Sequence, residues 1–457
     1  MIMAKINVDF NNVVGLIKPM HAIGQPPLSG TSCHHFHYIK EAHMPFSRLH
    51  DVGGWFGGNL YVDVPNIFRD FSADENDPAN YDFTFTDILI KGLYDYGCAP
   101  IYRLGVTIEN FFEIKVYRTD PPEDFAKWAR ICEHIIRHYN EGWADGFEYG
   151  VEYWEIWNEP EVGLPHPVTG NGMWRGTKEQ YFEFYGVAAT HLKKCFGDKI
   201  KIGGYACSGL FGLFGDPEKY GINTPKLPGK RYNSEQETYR IDFFYGFFDY
   251  LKKNNVPIDF FTWHSYMTLE QTGFAADFFS KELKKLGFGH VESHLNEWNL
   301  AFGANDYQYQ EKRETSFASS QSAAMLLMMQ DKDVDMLNYY DARIAVSCYA
   351  GLFNPLNAKP LATYYGFYTF GEMYHDLKNQ VKCEIEGENL YAVAATDGVR
   401  RAIMISNPKK VAQEIETNLP DGWNVYLIDA DHHLTKEDMS SSKFTLGAEQ
   451  VIYIKNF

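Results

Sequence analysis

The chain has 457 residues, 45% of them apolar and 22% charged, which is the composition of a globular protein too long for a single hydrophobic core. Its formal charge of −18, with no Lys/Arg-rich run, excludes nucleic acid as a partner. No apolar run approaches the ~18 residues needed to span a bilayer, so no membrane partner is expected either.

Taken in chain order, the first ten residues carry neither a basic n-region nor an apolar h-region. Seven cysteines (33, 98, 132, 195, 207, 348 and 383) are odd in number, scattered and free of C-x-x-C spacing. They read as free thiols in a reducing compartment, and the cytoplasm is the simplest location. Lys5 to Phe10 alternates polar and apolar residues, as a strand does. Cys33-His34-His35-Phe36-His37 invites a metal reading. On a helix, His34 and His37 would share a face while His35 points elsewhere, and no carboxylate cluster follows at zinc-ligand spacing. No metal and no cofactor are therefore expected.

From there to about residue 360, short apolar runs alternate with helical patterns, the signature of a parallel α/β fold. The candidate strands are Leu16 to Ile23, Arg48 to Trp55, Cys98 to Val106, Tyr153 to Asn158, Ile200 to Tyr205, Asp259 to Ser265, Glu292 to Asn296 and Met336 to Tyr340. Eight is the number a closed (β/α)8 barrel requires. Between them, Glu123 to Tyr139 places Phe125, Trp128, Cys132, Ile135 and Ile136 on one helical face, and Thr177 to Gln180 has the form of a capping box. Leu210 to Glu237, long and rich in Gly, Pro and aromatics, is expected to rim a cleft. Met325 to Met329 reads as core at helical spacing. The last ~75 residues change character, with short strands around Cys383, Leu390, Arg401, Val411, Val425 and Val451, and turns at Asp397-Gly398, Asn407-Pro408 and Asp421-Gly422. The expected fold is an α/β (β/α)8 TIM barrel over residues 14–376, with a β-sandwich built from residues 1–13 plus 377–457.

Two strand ends carry the chemistry. Tyr153-Trp154-Glu155-Ile156-Trp157 stops at Asn158-Glu159-Pro160. Pro160 has no amide hydrogen and ends the strand; it also biases Glu159 toward an extended backbone, presenting its carboxyl group at the strand's carboxyl end. Downstream, Glu292 to Asn296 ends in Glu297-Trp298-Asn299. Hydrolysis of a glycosidic bond needs two facing carboxyl groups, a proton donor and an ionised nucleophile or base. Glu159 ends the fourth candidate strand and Glu297 the seventh.

On these residues the chain resembles the retaining glycosidases of the large (β/α)8 clan, and within it glycoside hydrolase family 39, which holds β-xylosidases and α-L-iduronidases. The likeness rests on Arg48-x-His50-Asp51, Trp157-Asn158-Glu159-Pro160, His264-Ser265-Tyr266, Asn296-Glu297-Trp298-Asn299 and the Gly351-Leu352-Phe353 to Lys359-Pro360 stretch. It implies that Glu159 is the acid/base and Glu297 the nucleophile. Asn158 would hydrogen-bond the sugar 2-hydroxyl, and His50 and His264 would hold other sugar hydroxyls. Tyr266 would donate to the nucleophile and keep its pKa low. The chain departs from the family where substrate is chosen. Asn338-Tyr339-Tyr340-Asp341-Ala342-Arg343 replaces a Trp-x-x-Ser-Asp stretch, which puts Tyr339, Tyr340 and Arg343 at the substrate. Thr107 to Phe111 departs as well.

The expectation is a retaining exo-glycosidase, β-xylosidase-like, acting by double displacement on terminal glycosides of short imported oligosaccharides. A family relative acting on a β-glucoside, α-L-arabinoside or α-L-iduronide is the alternative. A metal-dependent barrel hydrolase and a non-catalytic sugar-binding barrel stay open, and so does a homo-oligomer.

Overall fold

The computed structural model describes residues 3–28, 32–50, 62–106, 119–162, 173–300, 315–344, 349 and 351–457. After β1 (Ala4–Leu16), eight strands close into a barrel: β2 (Ala22–Gly24), β3 (Phe46–Leu49), β4 (Ala99–Leu104), β5 (Tyr153–Ile156), β6 (Lys201–Cys207), β7 (Phe260–Ser265), β8 (Glu292–Trp298) and β9 (Met336–Tyr339). All eight pair in parallel, and β2 closes the ring by pairing with β3 on one side and β9 on the other. The first strand is shorter than expected. Residues 17–21 contain Pro19 and carry the chain from β1 to the barrel, with Lys18 Nζ donating to the carbonyls of Lys332 and Val334. The expected continuation of the second strand over 51–55, and the segment 107–111, lie outside the described residues.

Alternation along the strands sorts the side chains. At the amino ends, Ala22, Ile101, Tyr153, Phe260 and Met336 meet inside the barrel and fill its floor. Outward-facing residues such as Trp154, Trp263 and Leu337 join the cluster that packs under the helices. Above the floor the barrel interior turns polar, with Arg48, Arg103, Glu155 and His264 buried toward the carboxyl ends of the strands, where barrels of this kind hold their chemistry.

The helices follow their sequence signals. Asp124 caps Phe125–Glu141, which ends at left-handed Gly142. Thr177 and Gln180 form both halves of the capping box before Lys178–Phe196, and Thr268 and Gln271 do the same before Leu269–Leu286. Met325, Leu326, Leu327 and Met329 are buried in the helix Ser316–Gln330. No helix among the described residues is long and apolar enough to cross a membrane.

Beyond the barrel lie β10 (Asn379–Glu386), β11 (Tyr391–Thr396), β12 (Arg401–Asn407), β13 (Gln413–Thr417), β14 (Asn424–Ile428), β15 (His433–Glu437), β16 (Lys443–Leu446) and β17 (Gln450–Lys455). With β1 they form one sheet in the order β15-β14-β17-β12-β11-β10-β1-β13-β16, antiparallel except for β1 against β13. Ile6, Ile415, Phe444, Ile405 and Ile452, drawn from both halves of this sheet, share one core, as in a sandwich. Its other face packs on the barrel through Val393, Met404 and Tyr453. Ser406 Oγ donates to the Ser320 carbonyl at 2.7 Å across that contact.

Candidate active site

The turn after β5 is tighter than the sequence suggests. Trp157 has φ 71° and Glu159 φ 46°, both left-handed, so Glu159 is not in the extended conformation expected before Pro160. Tertiary contacts override the local bias. The Glu159 N–H is shared between the carbonyls of Tyr205 and Ala206 on β6, at 3.2 Å each, and its carbonyl accepts from Val162 N–H at 3.0 Å. The strand itself stops at Ile156.

β8 delivers its carboxylate by a bulge. Trp263 pairs with Leu295 but the next residue, His264, pairs with Glu297, so Asn296 is an extra residue in the strand. A bulge places two consecutive side chains on the same face. Both Asn296 and Glu297 therefore point into the barrel, where regular alternation would allow one of them.

Around Glu297 the polar groups are dense. Tyr266 Oη donates to Glu297 Oε1 at 2.5 Å, and Arg48 Nη1 donates to Oε2 at 3.0 Å. The same guanidinium gives Nε to Glu155 Oε2 at 2.8 Å and Nη2 to Asn158 Oδ1 at 2.6 Å. Asn296 Nδ2 closes the ring by donating to Glu155 Oε1 at 2.6 Å. His264, wholly buried, lies between the two candidate carboxylates, with Nδ1 2.6 Å from Glu159 Oε1 and Nε2 3.5 Å from Glu297 Oε2. One oxygen from each carboxylate and one His264 nitrogen lie within 4.8 Å of one another.

The electrostatics are set mainly by burial. Burial pushes the Glu297 carboxyl above the ordinary carboxylate value and Glu159 adds to this, while His264, Arg48 and the Tyr266 hydroxyl pull the other way. The Tyr266 hydrogen bond is thus present, but it does not hold Glu297 low as expected. His264 is pushed down to about 4, first by burial, and stays neutral near pH 7. His50 is held well below its usual value by burial and by Arg48. Burial pushes Glu155 up as well, yet Arg48 and Thr262 outweigh it and leave that carboxyl below the usual range.

The remaining expected site residues divide. Asn158 is buried, and its Nδ2 has no hydrogen-bond partner among the described residues. His50 lies beside Tyr340, ring centroids 6.4 Å apart, and Tyr340 meets Tyr349, which packs on Tyr266 at 5.2 Å. Arg343 gives Nε and Nη2 to Asp341 Oδ2 at 3.0 and 2.7 Å. Tyr339 is not brought to this group. It is fully buried on the outer side of β9, against Trp298 at 4.9 Å and Phe367 at 5.2 Å, because Met336 faces inward and alternation turns Tyr339 outward. The loop after β6 reaches the site, since Arg231 Nη2 donates to the Tyr266 carbonyl at 3.0 Å.

Sequence reasoning assigned no role to Arg48, Glu155 or Asn296, and missed Glu161 altogether. The usable signal was a charge inside an apolar strand, which must find a partner. Glu161 is fully buried, with Oε1 accepting from Ser208 N–H at 2.6 Å and from Ser208 Oγ at 3.0 Å. Burial, then the charge of Glu159, pushes it up to about 8.

As for metals, the His34 and His35 rings (5.0 Å) lie closer than those of His34 and His37 (6.4 Å). The segment begins as a 3-10 turn, in which residues three apart stack on one face, but His37 Nδ1 is already engaged at 3.0 Å from the His34 carbonyl. Glu159, His264 and Glu297 do converge, but Arg48 and Tyr266 already hold both oxygens of Glu297, a poor setting for a cation.

The model of the glycosyl hydrolases family 39 matches residues 54–286, just over half of the chain. A β-xylosidase of Caldicellulosiruptor saccharolyticus is 27% identical over 280 residues, covering 58% of this chain and 46% of that protein. A β-xylosidase of Geobacillus stearothermophilus is 24% identical over 165 residues, covering 34% and 30%. The chain thus spans less than half the length of the curated relatives it matches. Among solved structures, a glucosidase from Croceicoccus marinus superposes with a TM-score of 0.76 at 22% identity, over 100% of this chain and 99% of that one. A family 39 β-xylosidase from Caulobacter crescentus superposes with a TM-score of 0.69 at 15% identity, over 99% of each chain. These two likenesses establish the fold.

Proposed function

The chain belongs to the glycosyl hydrolases family 39, and from that premise we propose that it is a retaining glycosidase removing terminal sugars from short oligosaccharides, with β-xylosides as its first substrate class. The observation that carries the reading is the approach of Glu159 and Glu297 to within 4.8 Å at the carboxyl ends of the fourth and seventh barrel strands. A retaining pair sits about 5–5.5 Å apart, whereas an inverting pair needs roughly 6.5–9.5 Å to admit a water.

In the first step the Glu297 carboxylate attacks the anomeric carbon while Glu159 gives its proton to the leaving oxygen. The bond to the leaving group breaks as the glycosyl ester forms. In the second step Glu159, now ionised, takes a proton from water, which displaces Glu297 and regenerates it. Two carboxyl groups this close share one proton. Arg48 and the Tyr266 hydroxyl both contact Glu297, so the negative charge rests there and the proton on Glu159. After glycosylation the Glu297 charge is gone and Glu159 ionises more readily, as the second step requires. Asn158 Nδ2, buried and without a partner among the described residues, is the donor for the sugar 2-hydroxyl, held in place by Arg48 through its other amide atom.

Both curated relatives are β-xylosidases, which supports xylosides as the class. The engagement of Arg343 by Asp341 favours a neutral sugar over a uronide. The six cysteines among the described residues are unpaired, which supports a reducing, cytoplasmic setting. The test is a panel of aryl xylosides, glucosides, arabinosides and iduronides. The anomer released first from any that turns over is then read by proton NMR. Retention is expected; an inverted first product would overturn the mechanism.

A further inference from the structure

A groove of about 600 Å³ lies outside the barrel, between the helix Ala362–Glu372, the helix His37–Glu41 and β15. Tyr365 and Tyr368 stand one turn apart on one helix face, both half-buried, and Tyr365 stacks on His433 at 5.3 Å. Tyr38 supplies a further ring, with its backbone carbonyl accepting from Tyr364 Oη at 2.9 Å. Around these rings are Glu41, Asn357 and Lys359, all exposed, one acid and one base together with an amide. Flat amphipathic rings with a few hydrogen-bonding groups and no net charge suit a neutral polyol.

The groove lies near the catalytic rim. Tyr349 packs on Tyr266 and Tyr340, and Phe353 packs on Tyr38 at 5.1 Å. Three residues separate Tyr349 from Phe353, a span of at most about 14 Å. Phe353, which backs the Tyr38 ring of the groove, is therefore within reach of a ring that packs at the candidate active site.

We propose that this groove is a second carbohydrate-binding site that holds a neutral oligosaccharide, the distal part of a chain whose terminal sugar occupies the active site. The proposal rests on the glycosidase reading for that second half, and the test separates the two. Xylohexaose and cellohexaose are titrated into Glu297→Ala, with and without Tyr365→Ala/Tyr368→Ala, and followed by calorimetry. The tyrosine pair should weaken binding of the accepted hexasaccharide by about fivefold or more and leave binding of the matching disaccharide unchanged. Asn357→Ala/Lys359→Ala, at exposed positions, should weaken it in the same direction. In the otherwise native enzyme, the tyrosine pair should leave aryl glycoside turnover unchanged and raise KM for the hexasaccharide. Equal hexasaccharide affinity in all forms, or no binding of either hexasaccharide, overturns the groove and leaves the glycosidase reading standing. Tyrosine-dependent binding by a wild-type protein that cleaves no glycoside keeps the groove and removes that reading.

Discussion

His264 Nδ1 lies 2.6 Å from Glu159 Oε1, and the same ring sets Nε2 3.5 Å from Glu297 Oε2. With its pKa pushed down to about 4, the imidazole is neutral at working pH and has one N–H to give. At 3.5 Å, Nε2 makes no hydrogen bond to Glu297, so the contact that counts is Nδ1 with Glu159, where an unprotonated Nδ1 accepts the proton that the acid carries. His264→Phe should lower kcat/KM by about 10²-fold or more. A hydrogen bond to the protonated form raises a pKa, so its loss should move the basic limb of the pH profile to lower pH. A basic limb that stays in place would falsify this assignment.

Tyr266→Phe removes a donor from Glu297 and nothing else of comparable bulk. Loss of a donor to the ionised form raises the Glu297 pKa further, so the acidic limb of kcat/KM should shift to higher pH. A loss of roughly tenfold to a hundredfold in kcat is expected. Activity measured across pH 4–8 decides it.

Arg48 feeds three acceptors from one planar fork, Glu297, Glu155 and Asn158. A lysine offers a point charge in place of that fork, so Arg48→Lys is not a mild change. It should leave buried acceptors unsatisfied, cost about 3 kcal/mol or more of stability and depress kcat. Denaturant unfolding and aryl glycoside kinetics on the same preparation test both halves.

Glu161 contributes a pH dependence of the opposite sign from the usual carboxylate. Its folded pKa of about 8 lies above the unfolded value near 4.5. Between those values the folded state binds the extra proton, so stability falls as pH rises through the window. Glu161→Gln keeps an acceptor for Ser208 and removes the titration. It should raise Tm at pH 8 and change it little at pH 4.5, and a Tm gain that is the same at both pH values would refute the burial argument.

Glu159→Ala should slow glycosides with poor leaving groups by orders of magnitude while largely sparing those with activated phenols, which need no protonation. Glu297→Ala should silence both kinds. Equal losses on both kinds in Glu159→Ala would remove the acid role.

What the sequence reveals of this molecule follows from how local each signal is. Glu159 and Glu297 could be placed because strand periodicity counts the barrel strands and a proline or an aromatic marks where each ends. The left-handed backbone at Glu159 could not, because it is imposed by two carbonyls of the neighbouring strand β6. The bulge at Asn296 is likewise invisible in one strand alone, since it exists only as a shift against β7. Tyr339 was misplaced because family pattern was followed in place of alternation, which from Met336 turns it outward. β15 and β16 went unread for a different reason. They are the two edge strands of the sheet, and their charged, half-exposed sequences look like loops.

β1 sits inside its sheet, flanked by β10 and β13. Its first partner begins roughly 360 residues later in the order of synthesis. At about 5–20 residues per second, β1 waits on the order of 20–70 seconds for that partner. Ala4, Ile6 and Val8 face water during that interval, whereas the barrel between the two can already be closing. The sandwich can therefore form on a ribosome only after the barrel has been made, and a chain stalled before β10 would carry an exposed, unpaired strand that invites pairing with another copy.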